Sequence, residues 1–390
     1  MRVILAADAI QTPLTGIGRY AYELARGLPE HPLIDQLRLF SFGRWREVAD
    51  LVRMAEAPPD VNPSLKSSTA LRRHLAGNRL AVRVYQAVTP PFFCWRLRNQ
   101  SDALFHSPNY FLPPFSGRSV ATIHDLSHIC LPHCHPAARV DYLNRALPAT
   151  FRQADFLITD AESVRQEVIH HFDWPADRIA AVPLGVAPIF HPRNLVELAP
   201  VLQSYGLTVE GYTLFVGTIE PRKNLQRLIS AYESLPVSVR QRWPLVLAGA
   251  HGWQSGEIHK RIAKAAASGW LRYLEFVPQH DLPFLYAGAR LFAYPSLYEG
   301  FGLPPLEAMA SGVPVVTSNV SSLPEVVGDA ALTVDPQDMS ALSDALARGL
   351  EDDVWREFAV SSGLKRASLL TWANCVKNTV SIYAKAEKHR

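Results

Sequence analysis

Glu299-Gly300-Phe301-Gly302-Leu303-Pro304-Pro305-Leu306-Glu307 sets two carboxylates eight positions apart. The first falls on a glycine-rich loop and the second inside the helix predicted to follow. Proline fits the first turn of a helix, where its missing N–H would have no partner in any case, so Pro304 and Pro305 mark a helix start. Glu307 then lies roughly one turn in. Gly300 and Gly302 let a ligand approach bare backbone. Free N–H groups around Gly302 and Leu303 point beyond the helix start, a natural place for phosphate oxygens. Carboxylates repel phosphate but accept hydrogen bonds from neutral hydroxyls. The array therefore suits a sugar, a diphosphate and a ribose in a row.

Outward from this stretch, short apolar runs alternate with helical patterns, the signal of parallel α/β layers. In the first half the expected strands are 2–7, 37–42, 103–107, 119–123, 156–159 and 179–182. In the second half they are 212–216, 244–248, 271–276, 291–294, 313–317 and 331–334. Between the halves, Pro183-Leu184-Gly185-Val186-Ala187-Pro188-Ile189-Phe190-His191-Pro192 reads as a connection because of its prolines and glycine. A chain of 390 residues is too long for one core. The pattern predicts two doubly wound domains: 1–185, a hinge at 186–210, and 211–370. A C-terminal helix at 371–390 is able to pack back on the first domain. Such domains bind ligands in the crevice at the carboxyl ends of their strands.

Composition excludes several classes. A net charge of +3 is too mild to imply nucleic acid. Cys94, Cys130, Cys134 and Cys375 have no disulfide-framework spacing and fit a reducing, cytoplasmic compartment. The apolar run at the N-terminus breaks at Asp8, which favours a first strand over a signal peptide. No uninterrupted apolar run reaches about 18 residues, so no membrane-spanning helix is expected.

The strand at 212–216 leads into Gly217-Thr218-Ile219-Glu220-Pro221-Arg222-Lys223-Asn224-Leu225. Adjacent Arg222 and Lys223 suit a diphosphate, since arginine chelates two oxygens and lysine adds a compact charge. Two solvated basic residues are the plainer alternative, but cations at a helix start oppose its dipole, and a bound anion explains them better. Together with the run at 294–316, this segment resembles the retaining, nucleotide-sugar-dependent glycosyltransferases of family four (glycosyl transferases group 1). The likeness covers most of residues 211–335 and, more loosely, the N-terminal half, and the chain resembles in particular bacterial polysaccharide mannosyltransferases. It implies the GT-B fold, two Rossmann-like domains facing across a cleft that holds the active site. It also implies that Arg222 and Lys223 hold the diphosphate, that Glu299 contacts the donor sugar and that Glu307 takes the ribose hydroxyls. Phe301, Gly302 and Leu303 would touch sugar and phosphate through backbone, and Val277 would help hold the base. Glu275, just before, stands where the family usually has glycine.

In the N-terminal half, Gly16-Ile17-Gly18-Arg19-Tyr20-Ala21 matches G-x-G-x-x-A and supports a rival, a nicotinamide dehydrogenase. Residues 9–15 separate the first glycine from the strand, and the second strand ends without a ribose-binding acid. The resemblance instead implies that Gly16 and Gly18 form a loop closing over donor phosphate and acceptor. His124, at a strand end, would contact the donor sugar or orient the acceptor; a histidine merely hydrogen-bonded there is the alternative. Asp160-Ala161-Glu162-Ser163 ends another strand and reads as a helix cap.

His128, Cys130, His133, Cys134 and His135 are dense enough to suggest zinc. No second ligand cluster completes a known spacing, and no D-x-D triplet occurs, so neither metal nor other cofactor is expected and the segment reads as a lining of the acceptor path. Residues 61–101 carry Lys66, Arg72, Arg73, Arg79, Arg83, Arg96 and Arg98 with no acid, interleaved with Phe92, Phe93 and Trp95. That mixture suits an anionic membrane face, against the alternative of a solvated basic helix. The expectation is a retaining hexosyltransferase. Its donor is a nucleoside diphosphate sugar, GDP-linked mannose or a deoxyhexose first and UDP-linked second. Its acceptor is a saccharide, free or lipid-linked. A sugar-nucleotide epimerase of the same fold, or a non-catalytic nucleotide-sugar-binding subunit, is the alternative.

Overall fold

The computed structural model describes residues 1–50, 53 and 92–388. The first sheet contains β1 (Arg2–Ala6), β2 (Gln36–Ser41), β3 (Arg44–Arg46), β4 (Leu104–Ser107), β5 (Arg118–Ile123), β6 (Phe156–Thr159) and β7 (Ile179–Ala181), in the order β3-β2-β1-β4-β5-β6-β7. Every pairing in it is parallel except β2 with β3. The second sheet contains β8 (Thr213–Val216), β9 (Leu245–Ala248), β10 (Leu271–Tyr273), β11 (Leu291–Tyr294), β12 (Val315–Ser318) and β13 (Ala331–Val334), all parallel, in the order β10-β9-β8-β11-β12-β13. Strands such as β4, β6, β9, β11 and β12 are buried along their whole length. Parallel sheets covered by helices on both faces require such continuous apolar runs, which is why those runs were legible as strands.

Each order reverses direction between its first strand and the strand that opens its second half, β1 beside β4 and β8 beside β11. That reversal leaves a crevice at the carboxyl ends. Both crevices open toward the same interdomain cleft, since the loops leaving β5 and β11 touch. The unanticipated β3 follows a two-residue turn at Phe42 and Gly43, both at positive φ (48° and 77°), which folds the chain back antiparallel. Within 186–210 the chain forms a helix, Leu195–Ser204, started by a capping box between Asn194 and Glu197. The helix Trp372–Lys388 lies against the first domain, where Tyr383 Oη is 2.7 Å from His106 Nδ1 and His106 Nε2 is 2.8 Å from Thr122 Oγ1. Burial pushes His106 down to about 3, so this ring is a neutral strut.

Of the basic aromatic segment, residues 61–91 lie outside the described residues. Phe92 and Trp95 are exposed, with the guanidinium groups of Arg96 and Arg98 5.8 and 5.7 Å from the Trp95 ring. Among the described residues no helix is long and apolar enough to cross a membrane.

Candidate active site

Two loops at the switch point of the second sheet build the centre of the site. After β8 the chain makes a single 3₁₀ turn, Pro221–Lys223, and Asn224 follows in the left-handed region at φ 58°. The Asn224 side chain fixes this turn by donating to the carbonyls of Pro295 (3.0 Å) and Pro336 (2.8 Å). After β11 the loop runs to Gly302, whose φ of 117° suits glycine, and the helix Leu303–Ala310 begins with Pro304 in its first turn. Ser322 holds the loop from behind, donating to the carbonyls of Glu299 (2.9 Å) and Phe301 (2.6 Å).

Arg222, Lys223 and Glu299 converge. Glu299 Oε1 lies 2.6 Å from Lys223 Nζ and Oε2 lies 2.9 Å from Arg222 Nη1. Arg222 Nη2 also pairs with Glu220 at 2.8 Å, and its Nη1 donates to the Tyr298 carbonyl at 2.7 Å. Lys223 Nζ donates to Tyr294 Oη at 2.6 Å. Burial would raise the Glu299 pKa, but the two cations outweigh it and hold the carboxyl at about 2. Two cations and two carboxylates thus neutralise each other in a buried site.

Glu307 lies one turn into its helix and is only partly exposed. Burial pushes its carboxyl up to about 7, moderated by the Tyr286 hydroxyl and by Arg19. Opposite, Gly16 opens the twelve-residue helix Gly16–Gly27. Thr15 caps it by accepting from Gly18 N–H at 3.1 Å. A β-carbon on Gly16 would stand 3.8 Å from Leu303 Cδ1, so the two helix starts face each other. Both present positive dipole ends and free N–H groups to the space between them. Val277 is buried just after Glu275, whose φ of 54° lies in the region that favours glycine. A glutamate there carries a backbone penalty of about 1 kcal/mol.

His124 is brought to the cleft with its ring already engaged. Nδ1 lies 2.7 Å from Asp160 Oδ2 and Nε2 lies 2.7 Å from the Pro108 carbonyl. Only an imidazolium donates from both nitrogens. Burial opposes that charge, and Asp160 outweighs it, raising the pKa. The rings of Tyr20 and Tyr110 pack edge-on at 5.3 and 5.8 Å. Asp160 is therefore not a helix cap, contrary to the sequence reading. The start of helix Glu162–Phe172 is satisfied instead by Glu325 of the second domain, which accepts from the N–H groups of Glu162 and Ser163 at 2.7 Å each.

Tyr298 was missed by sequence reasoning. Its carbonyl holds Arg222, while its hydroxyl accepts from Leu126 N–H at 3.1 Å and donates to Glu167, both in the first domain. Its only sequence signal was adjacency to Glu299. Gly300 marks a tight approach between the domains, because a β-carbon there would collide with the His124 carbonyl.

Comparison with known proteins identifies the family. Residues 206–363 match the model for glycosyl transferases group 1, and residues 14–188 match the model for glycosyltransferase family 4. The chain is 42% identical over 383 residues to the O-antigen chain mannosyltransferase B of Escherichia coli, covering 98% of this chain and 99% of that one. It is 32% identical over 266 residues to the E. coli serotype-specific mannosyltransferase WbdA, covering 66% of this chain and 32% of that one. Anabaena Alr3699/HepE, solved with UDP and glucose, superposes with a TM-score of 0.74 at 17% identity over 99% of this chain and 100% of that one. The chain is a glycosyltransferase of GT-B fold and belongs to family 4, the glycosyl transferases group 1.

Proposed function

We propose that this chain is a retaining mannosyltransferase of cell-surface polysaccharide synthesis. It moves mannose from GDP-mannose to a hydroxyl of an O-antigen-type saccharide, free or lipid-linked. The observation that carries this reading is the convergence of Arg222, Lys223 and Glu299 at the switch point, facing the start of helix Gly16–Gly27. Likeness along the whole chain to an O-antigen chain mannosyltransferase supports the sugar and the acceptor class. A UDP-linked donor is the second choice, in keeping with the UDP found in Anabaena HepE.

In this reading the diphosphate takes Arg222 and Lys223 from Glu299, with N–H groups at both helix starts completing its shell. Glu299 then turns to the hydroxyls of the sugar, and Glu307 accepts from the ribose. Val277 flanks the base. No carboxylate is left for C1 as a nucleophile, because Glu299 is taken up by the sugar hydroxyls and Glu307 by the ribose. The acceptor oxygen therefore attacks C1 from the face the diphosphate leaves. The C1–O bond to phosphate breaks, the new glycosidic bond forms, and the acceptor proton passes to the departing phosphate oxygen. Arg222 and Lys223 act on the charge that develops there, and they supply it without a metal. His124 positions the Glu299–Gly300 loop through its anchored strand end.

Screening GDP- and UDP-linked sugars by thermal shift tests the donor, since a ligand of the folded state raises Tm by mass action. GDP-mannose should give the largest rise; no rise with any nucleotide sugar would contradict the reading. Residues 61–101 would hold the enzyme on the cytoplasmic membrane face through their basic and aromatic side chains. Failure to co-sediment with anionic liposomes at low salt would remove that part.

A further inference from the structure

The helix Glu162–Phe172 lacks a cap from its own domain. Ala161 stands at its N-cap in extended backbone, with no side-chain oxygen to accept, and Asp160 is spent on His124. The first N–H groups of a helix have no partners within it. Here both oxygens of one second-domain carboxylate supply them: Glu325 Oε2 accepts from Glu162 N–H and Oε1 from Ser163 N–H, at 2.7 Å each. A carboxylate spanning two N–H groups at the positive end of a helix makes short, charge-assisted bonds. The neighbouring acid, Glu162, is matched by Arg165 at 2.8 Å and Gln166 at 2.6 Å.

Glu325 is tied in turn to the loop that carries Glu299. It lies in the short helix Leu323–Val327, and the two serines just before that helix grip the loop. Ser321 Oγ accepts from Glu299 N–H at 2.9 Å, and Ser322 donates to the Glu299 and Phe301 carbonyls. From the other end of the short helix, Arg366 donates to the Val326 carbonyl at 3.0 Å and to that of Glu325. On the first-domain side, the capped turn follows directly on Asp160, which holds His124. Farther along the same helix Glu167 takes the Tyr298 hydroxyl. The contact therefore joins the support behind Glu299 to the support behind His124, across the cleft.

We propose that Glu325 is a positioning residue for glycosyl transfer. By capping helix Glu162–Phe172 from the opposite domain, it holds the two domains where the Glu299 loop meets His124. The inference rests on the reading of that loop as part of the donor site. Glu325 is exposed, so water and salt reach the contact, and a pair of this kind opens at small cost when product must leave.

A cap and a hold between domains are separable by experiment. Ala161→Ser places a hydroxyl at the N-cap, where it accepts from the helix's own N–H groups. Glu325→Ala should lower Tm and lower kcat about five- to tenfold, the shift in a closure equilibrium that follows from losing a helix-capping carboxylate. Ala161→Ser added to it should restore Tm and leave kcat low. Glu325→Gln, which keeps one acceptor without the charge, should lie between wild type and Glu325→Ala. GDP affinity by calorimetry should stay within about twofold throughout. Small-angle scattering of the ligand-free protein needs no turnover: Glu325→Ala should show a larger radius of gyration than wild type, and Ala161→Ser should not reverse it. Equal radii and equal kcat in wild type and Glu325→Ala would overturn the proposal. Recovery of kcat by Ala161→Ser would also overturn it, because the residue would then serve only the helix. A larger radius for Glu325→Ala in a protein that transfers from no nucleotide sugar would support the hold between domains and sink the donor reading instead.

Discussion

Glu299 lies 2.6 Å from Lys223 and 2.9 Å from Arg222, and so fills with its own charge the place proposed for a diphosphate. The free site is thereby neutral and needs no bound anion to be stable. Removing one cation leaves Glu299 buried with half its compensation and removes a stabiliser of leaving-group charge. Arg222→Ala and Lys223→Ala should each lower kcat by about 10²–10³-fold. Steady-state kinetics on folded variants checks this, and near-normal turnover in both would contradict the diphosphate role.

Gly300 and Tyr298 link the contact between the domains to the position of Arg222. One admits the His124 carbonyl, and the other bonds Arg222 with its backbone while its hydroxyl reaches Leu126 and Glu167. Gly300→Ala should block full closure and lower kcat by on the order of 10²-fold, the effect of misplacing reacting groups by about 1 Å. Most GDP binding should survive, because Arg222, Lys223, Val277 and Glu307 all lie in the second domain. Small-angle scattering with GDP bound should then report a larger radius of gyration than wild type. A variant as compact and as active as wild type would remove the coupling.

If Glu307 takes the ribose as proposed, donor binding should depend on pH. Its carboxyl, pushed up to about 7 by burial, is largely protonated at pH 6 and ionised at pH 8. Only the ionised form accepts from both ribose hydroxyls, so GDP affinity should rise from pH 6 to pH 8. The same raised pKa means that the ligand-free fold loses stability as pH climbs from the ordinary carboxylate range through 7. Glu307→Gln should flatten the affinity profile, weaken GDP binding at pH 8 and raise the ligand-free Tm there. Calorimetry and thermal unfolding across that window measure both, and an unchanged affinity profile in Glu307→Gln would exclude the ribose role.

All twelve expected strands exist, because buried parallel strands write themselves as short apolar runs. The run from Glu299 to Glu307 forms the expected glycine loop and helix start, because those features depend on residues adjacent in sequence. Glu275 was marked as standing where glycine is usual, and its φ of 54° supplies the reason. What stayed hidden depends on distant partners. Asp160 pairs with His124, Glu325 serves the helix at Glu162, and Tyr298 reaches Glu167. No local periodicity encodes such pairs. The strand at Arg44–Arg46 was missed because Phe42 is an unusual residue for a turn of positive φ.

In the proposed reaction, charge on the leaving diphosphate would be met by side chains and helix starts. Turnover should therefore persist in excess EDTA at the rate seen without it. Loss on chelation, restored by a divalent ion, would contradict that expectation and direct attention back to His128–His135.

Incubating the enzyme with GDP-mannose and a mannoside acceptor, then assigning the anomeric configuration of the product by NMR, tests the central claim most directly. The account predicts one added mannose in the α configuration of the donor, with GDP released in equal amount. A β-linked product would contradict retention. Release of free mannose with no transfer to any mannoside would contradict the transferase reading itself.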